Sequence, residues 1–300
     1  MPTLFCFGLG YCAEHYVAEF GARFDRIAGT VRTREKAAAI AASRFGGHAV
    51  EAFVFNGSEA TPEAAAALID ADTLLVSVPP GDADPVLAQF ADTVAGAPHL
   101  QSIVYLSTVG VYGDHGGGWV DETTPPEPIS ERSRARLTAE QTWDALGQHA
   151  GKAVAILRLA GIYGPGQNAL VQVARGAAKR IDKPGQLFNR IHVADIAQAI
   201  DAAFAKQAAG AFNVTDDEPT PQGTPIAFAA GLLGLPAPPE IPFAEAAEEM
   251  SPMARSFYAE SKRVRNDKMK RALAVRLRYP TYREGLGALF ASEGSALRSV

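Results

Sequence analysis

Residues 73–78 and 103–106 are apolar at both alternations, so as strands they must bury both faces. A strand of that kind belongs in a parallel sheet covered by helices on either side. The remainder of the N-terminal half supplies the other parts. Residues 3–7, 27–31, 50–55 and 154–159 read as further strands, and Ala-rich or amphipathic segments of helical period lie between them. In the first such segment Ala13, Tyr16, Val17 and Phe20 fall at i, i+3, i+4 and i+7, which predicts a helix over 12–21. A second helix is expected over about 34–43. Repeated βα units of this length predict an α/β fold, a doubly wound parallel sheet.

The rhythm changes after about residue 160. Gly164, Pro165 and Gly166 mark a loop, a helix is expected over about 169–179, and a short strand near 188–191 precedes a helix over 193–205. Residues 212–214 read as a strand returning to the sheet, and seven prolines from Pro219 to Pro242 then break the chain into short elements. The expected organisation is a sheet domain over 1–160, rejoined by 188–214, and a smaller cap region from 161–187 and 215–300.

Composition excludes several classes. With 300 residues, 47% of them apolar, and a net charge of -5, disorder over most of the chain is ruled out, and nucleic acid is disfavoured as the main partner. Two cysteines, Cys6 and Cys12, make no disulfide framework. No apolar run reaches the roughly 18 residues of a membrane helix. The apolar start lacks a basic flank and is broken by Gly8 and Gly10, so it reads as structure rather than as a secretion signal. Together these point to a soluble, reduced, globular protein in the cytoplasm, with no membrane partner, and say nothing about its chemistry.

The segment from Gly8 to Ala13, Gly-Leu-Gly-Tyr-Cys-Ala, follows the first strand and opens a helix. It fits G-x-G-x-x-G/A in the required context, where Gly8 permits the turn, Gly10 lets backbone approach a pyrophosphate, and Ala13 allows close packing. The alternative is a plain glycine turn. The second strand ends Gly29-Thr30-Val31-Arg32-Thr33-Arg34, with no acid to accept from a ribose 2′-hydroxyl. Arg32, with Arg34, can instead pair with a 2′-phosphate, so NADP(H) is favoured over NAD(H). Otherwise both arginines are solvated residues at a helix start.

With these pieces the chain resembles the extended and atypical short-chain dehydrogenase/reductases, the NAD-dependent epimerase/dehydratase group. The resemblance is carried by YLSTVGVYGD at 105–114, RLTAE at 136–140, LRLAGIYGPG at 157–166, RIHVADIAQAI at 190–200 and YPTYREGL at 279–286. It implies a Rossmann fold with a C-terminal part over the substrate, and pairing through sheet-flanking helices as a homodimer. It also implies a cofactor set of Gly8, Leu9, Gly10, Ala13, Thr30, Arg32, Asn56, Ser77, Pro79, Thr108 and Arg136.

By the same resemblance Thr108 matches the family's catalytic Ser/Thr, and counting back from Ala139-Glu140 puts Arg132 at the Tyr and Arg136 at the Lys of Tyr-x-x-x-Lys. No tyrosine occurs between 113 and 162. An arginine keeps its proton near neutral pH, so Arg132 cannot serve as that general acid or base. Arg136 can still donate to ribose hydroxyls, and the two arginines share a helix face that suits a phosphate or carboxylate. The other reading is a solvated basic face that includes Arg134.

Tyr112 is the nearest substitute for the proton carrier, with Asp114, His115 and Tyr163 behind it. Tyr112 and Tyr163 also read as packing residues, and His115 as a solvated loop histidine. His192 and Asp195 lack further ligands for a metal, and the resemblance implies a structural role for them. The basic stretch with Lys262, Arg263, Arg265, Lys268, Lys270 and Arg271 reads as a solvated surface rather than an anion funnel. Two functions stay open: an oxidoreductase or epimerase-like enzyme with a non-standard site for a small, anionic or sugar-like substrate, and a dinucleotide-binding sensor with little turnover.

Overall fold

The computed structural model describes residues 2–58 and 61–297. Seven strands form one sheet and are numbered here in chain order: Thr3–Phe7 (β1), Arg26–Val31 (β2), Glu51–Val54 (β3), Thr73–Val76 (β4), Ser102–Thr108 (β5), Ala153–Leu159 (β6) and Gly210–Val214 (β7). Their spatial order is β7-β6-β5-β4-β1-β2-β3 and every neighbouring pair is parallel. This is the doubly wound, Rossmann-like α/β fold expected from the sequence. The order reverses between β1 and β4, which leaves a crevice at the carboxyl ends of those strands.

The helices are Tyr11–Phe20 (α1), Arg34–Ala42 (α2), Pro62–Ile69 (α3), Pro85–Gly96 (α4), Glu131–Ala150 (α5), Ala169–Ala174 (α6), Val193–Ala205 (α7), Gly223–Leu233 (α8), Phe243–Glu249 (α9), Pro252–Ser256 (α10), Asp267–Ala272 (α11) and Tyr282–Leu297 (α12). β1 shows how the layers arise. Leu4 and Cys6 face a core shared with α1 and α7, while Phe5 and Phe7 face a core shared with α3, α4 and α5. The period of two within one strand thus feeds both helical layers. A separate apolar cluster joins α6, α8 and α12 through Leu170, Ile226, Tyr282 and Leu286. Among the described residues no helix is long and apolar enough to cross a membrane.

Two expectations change. The helix expected over about 169–179 stops at Ala174, because the chain turns at Gly176, which has φ +64°. Three short parallel pairs were also not foreseen as pairs: Gly161–Tyr163 with Arg190–His192, Arg180–Asp182 with Glu240–Pro242, and Trp119–Val120 with Arg263–Val264. Each joins an earlier loop to a later segment.

A buried polar network holds the carboxyl ends of β5, β6 and β7 together. Arg158 on β6 pairs with Glu140 on α5 at 2.7 Å, and both are almost fully buried. Ser107 donates to Glu140, Arg158 donates to the Tyr112 hydroxyl at 2.9 Å, and that hydroxyl donates to Asn213 on β7 at 2.8 Å. A second tie clamps the C-terminal segment: buried Asp195 on α7 accepts from the backbone N–H groups of Arg278 and Tyr279. Asp216, just past β7, is also buried, and burial pushes its carboxyl from 3.8 up to about 8.

Removing one partner of the Arg158 pair leaves an uncompensated buried charge. Arg158→Met should therefore cost about 3–5 kcal/mol in chemical denaturation, and adding Glu140→Leu should recover a large part of that loss. For Asp216 the raised value means the fold favours the protonated carboxyl. Its contribution is complete below about pH 4 and is lost as pH rises through about 8. Asp216→Asn should match the wild type in unfolding free energy near pH 4 and exceed it progressively toward pH 8, by on the order of 5 kcal/mol in chemical denaturation.

Candidate functional site

At the carboxyl end of β1 the chain turns sharply into α1, and three hydrogen bonds hold that turn. Gly8 has φ +92°, and a Cβ there would lie 2.6 Å from Ser77 Oγ. The Gly8 N–H donates to Thr30 Oγ1 at 3.1 Å, the Leu9 N–H donates to the Thr30 carbonyl at 2.8 Å, and Ser77 Oγ donates to the Gly8 carbonyl at 2.8 Å. β2 and β4 therefore fix the turn from either side. At Gly10 nothing lies within 4 Å of where a Cβ would be, and no side chain caps α1. The first N–H groups of that helix are left facing open space, which is the arrangement that receives an anion.

This turn forms one wall of a cavity of about 950 Å³. Of the expected cofactor residues, Gly8, Leu9, Gly10, Thr30, Arg32, Asn56, Ser77 and Pro79 line it. Ala13 does not; it is buried in the core where α1 packs. The charged lining residues are Arg32 and Lys36, both exposed, and no acidic side chain is among them. Arg34 does not line the cavity. Lys36 was missed from the sequence, although its position one helical turn after Arg32 is a usable signal. The helix that carries it is capped by Thr33, whose hydroxyl accepts from the Lys36 N–H.

Thr108 ends β5 outside that cavity. Its Oγ1 accepts from the Gly110 N–H at 3.1 Å, so its hydroxyl proton is free to be donated. A Cβ on Gly110 would stand 2.8 Å from Ser133 Oγ and 3.3 Å from Thr108 Oγ1, so the missing side chain leaves room between two hydroxyls. Ser133, on the first turn of α5, was not singled out in the sequence.

The two arginines separate. Arg136 donates to the Leu106 carbonyl at 2.7 Å and to the Tyr105 hydroxyl at 3.1 Å, so it fastens α5 to β5. Arg132 is exposed, with its guanidinium 4.9 Å from the centre of the Phe257 ring beyond α10, and makes no hydrogen bond or ion pair among the described residues. They do not form a joint anion site.

The alternative proton carriers are engaged elsewhere. Tyr112 is fully buried with its hydroxyl in the Arg158–Asn213 network, which removes it from contact with a substrate. Asp114 accepts from the Ser261 and Gly116 N–H groups, and the Ser261 bond holds its carboxyl below the usual range. The His115 ring contacts the Tyr112 carbonyl at 3.1 Å. Tyr163 is buried against α12, where a Cβ on Gly285 would strike its hydroxyl. His192 caps α7 through Nδ1 between the rings of Tyr163 and Tyr279, and burial pulls it down to about 4.

The basic stretch is only partly the solvated surface expected, since Arg265 and Arg271 are exposed while the others are drawn into contacts. Lys262 is buried and donates to the Gly113 carbonyl at 2.8 Å and to Glu260, and Lys268 donates to the Ala211 carbonyl at 2.7 Å. Arg263 and Arg265 flank the Trp119 ring, and Lys270 pairs with Asp217. No group of three or more potential metal ligands occurs among the described residues.

Residues 88–215 match the NAD dependent epimerase/dehydratase family. The solved structure of a functionally unknown conserved protein from Silicibacter pomeroyi DSS is 45% identical, with 97% of this chain and 99% of that chain covered and a TM-score of 0.86. Protein YeeZ of Escherichia coli (strain K12) is 35% identical over 142 residues, so the match spans about half of each chain, 45% of this one and 48% of that one. The fold is shared with dTDP-glucose 4,6-dehydratase from Bacillus anthracis str. Ames, solved in complex with NAD, at 17% identity, with 98% and 97% of the chains covered and a TM-score of 0.77.

The two glycines of the turn should behave differently. Gly8→Ala forces a side chain into a positive-φ position against Ser77 and should lower stability by roughly 1–3 kcal/mol. Gly10→Ala meets neither strain nor neighbour, so its melting temperature should stay at the wild-type value. If the space beyond Gly10 receives a pyrophosphate, the same methyl should weaken dinucleotide binding about tenfold by calorimetry.

Proposed function

Because residues 88–215 match the NAD dependent epimerase/dehydratase family, we propose that the chain is a member of it, binds NADP(H) and acts as an oxidoreductase or epimerase-like enzyme on a small anionic substrate, with a non-standard active site. The observation that carries the cofactor reading is the cavity at the Gly8–Gly10 turn, whose charged lining is Arg32 and Lys36 with no acid. The uncapped start of α1 would hold the pyrophosphate, and Arg32 with Lys36 the 2′-phosphate. When bound, the dinucleotide supplies a hydride donor or acceptor.

The chain's own residues supply the rest. Thr108 has a hydroxyl proton to give to a reacting oxygen. Arg132 would hold a carboxylate or phosphate on the substrate through charge-assisted bonds, while Phe257 shields one face of its guanidinium. Arg136 acts by fastening α5 to β5 and so positioning Arg132 and Ser133. The cap assignment of 161–187 and 215–300 belongs to this proposal, as does a cytoplasmic setting.

A second reading, a dinucleotide-binding sensor with little turnover, is favoured by the sealed position of Tyr112 and by the lack of any tyrosine between 113 and 162. Binding separates the cofactor claim from the catalytic one. NADPH should bind at least tenfold more tightly than NADH in fluorescence titrations, and Arg32→Ala should remove that difference. Equal affinities in the wild type would overturn the cofactor preference. Tight NADPH binding without hydride transfer to acidic carbonyl compounds or sugar nucleotides would favour the sensor.

A further inference from the structure

A second cavity, of about 510 Å³, opens among the 164–168 loop, α6, α8 and α12, and shares no lining residue with the first. Its volume is in the range of small-molecule sites. Ile162, Ile226 and Leu286 give it an apolar floor, beside the rings of Tyr163 and Tyr282. The charged lining residues are Arg175 and Arg190, and no Asp or Glu is among them.

The state of the two arginines marks the cavity as deficient in negative charge. Arg190 spends its donors on neutral acceptors, the Phe188 carbonyl at 3.0 Å and Thr220 Oγ1 at 2.7 Å, and forms no ion pair among the described residues. Burial lowers its pKa, the signature of a cation poorly served by water. The carboxyl that acts on it most strongly is Asp216, which burial keeps protonated at neutral pH and whose buried Oδ2 has no partner. Arg175 is exposed at the end of α6, and its guanidinium makes no hydrogen bond or ion pair among the described residues. Gln172, one turn inside that helix, also lines the cavity and is exposed, with no side-chain hydrogen bond among the described residues. Glu218, which also acts on Arg190, is itself paired with Arg283, so Arg190 has no counter-charge in direct contact, and an entering oxyanion would supply one through charge-assisted bonds.

We propose that this cavity is a binding site for a small ring compound bearing one carboxylate or phosphate, with its ring against Tyr163 and Tyr282 and its anion on Arg190 and Arg175. The site is independent of the dinucleotide reading, since no residue is shared with that cavity.

The test uses the full chain with two probes, 4-hydroxybenzoate for the carboxylate and glucose 6-phosphate for the phosphate, followed by NMR or calorimetry at constant ionic strength. At least one should bind saturably, and the one that does identifies the anion. Arg175→Glu, a surface change that leaves the fold intact, should weaken that binding at least tenfold, and Gln172→Glu on the same rim should do likewise. Arg32→Ala, in the other cavity, should leave it unchanged. Failure of both probes to bind would overturn the proposal. So would wild-type affinity in both rim variants, or loss of binding in Arg32→Ala alone.

Discussion

The ion pair between Arg158 and Glu140 sets the geometry on which the carboxyl ends of β5 and β6 depend. Its two charges lie out of water, so each is tolerable only because the other, with Ser107 and Tyr112, satisfies it. α5 is thereby fixed against β5 and β6, and Arg136 adds a second fastening to the same strand. Arg132 and Ser133, one turn nearer the start of α5, are placed relative to Thr108 by these fastenings together with the Ser130 cap that bonds Ser133 and the Phe257 ring beside Arg132.

Most of the sheet was legible because its strands carry a period. Two-sided apolar runs at 73–78 and 103–106 require helices on both faces, and Leu4, Phe5, Cys6 and Phe7 divide between the two cores accordingly. The glycine turn was legible for a related reason, since the positive φ at Gly8, with Ser77 crowding its Cβ position, is a demand only glycine meets cheaply. The two- and three-residue strands were not legible as pairs. Segments as short as Trp119–Val120 hold no period to read.

Charged side chains were the least readable class, because their roles depend on neighbours distant in sequence. Lys262 lies in a basic run that reads as surface, yet it is buried against Gly113 and Glu260. Arg132 and Arg136 share a helix face at four-residue spacing, yet one is spent on Tyr105 and Leu106 while the other stays free. Arg32 fared better, since its place at the end of β2 faces the crevice by topology alone.

The short parallel pairs carry a consequence for how the chain acquires its shape. Arg263, paired with Trp119, donates to the Gly117 carbonyl 146 residues earlier in the chain, and Arg180–Asp182 waits similarly for Glu240–Pro242. Contacts so far apart in sequence are slow to close and are absent until the last part of the chain has left the ribosome. The glycine turn and its neighbours β2 and β4 are all in place within the first eighty residues. During synthesis, therefore, the nucleotide-sized crevice can be shaped well before the surfaces that would confine anything bound beside it.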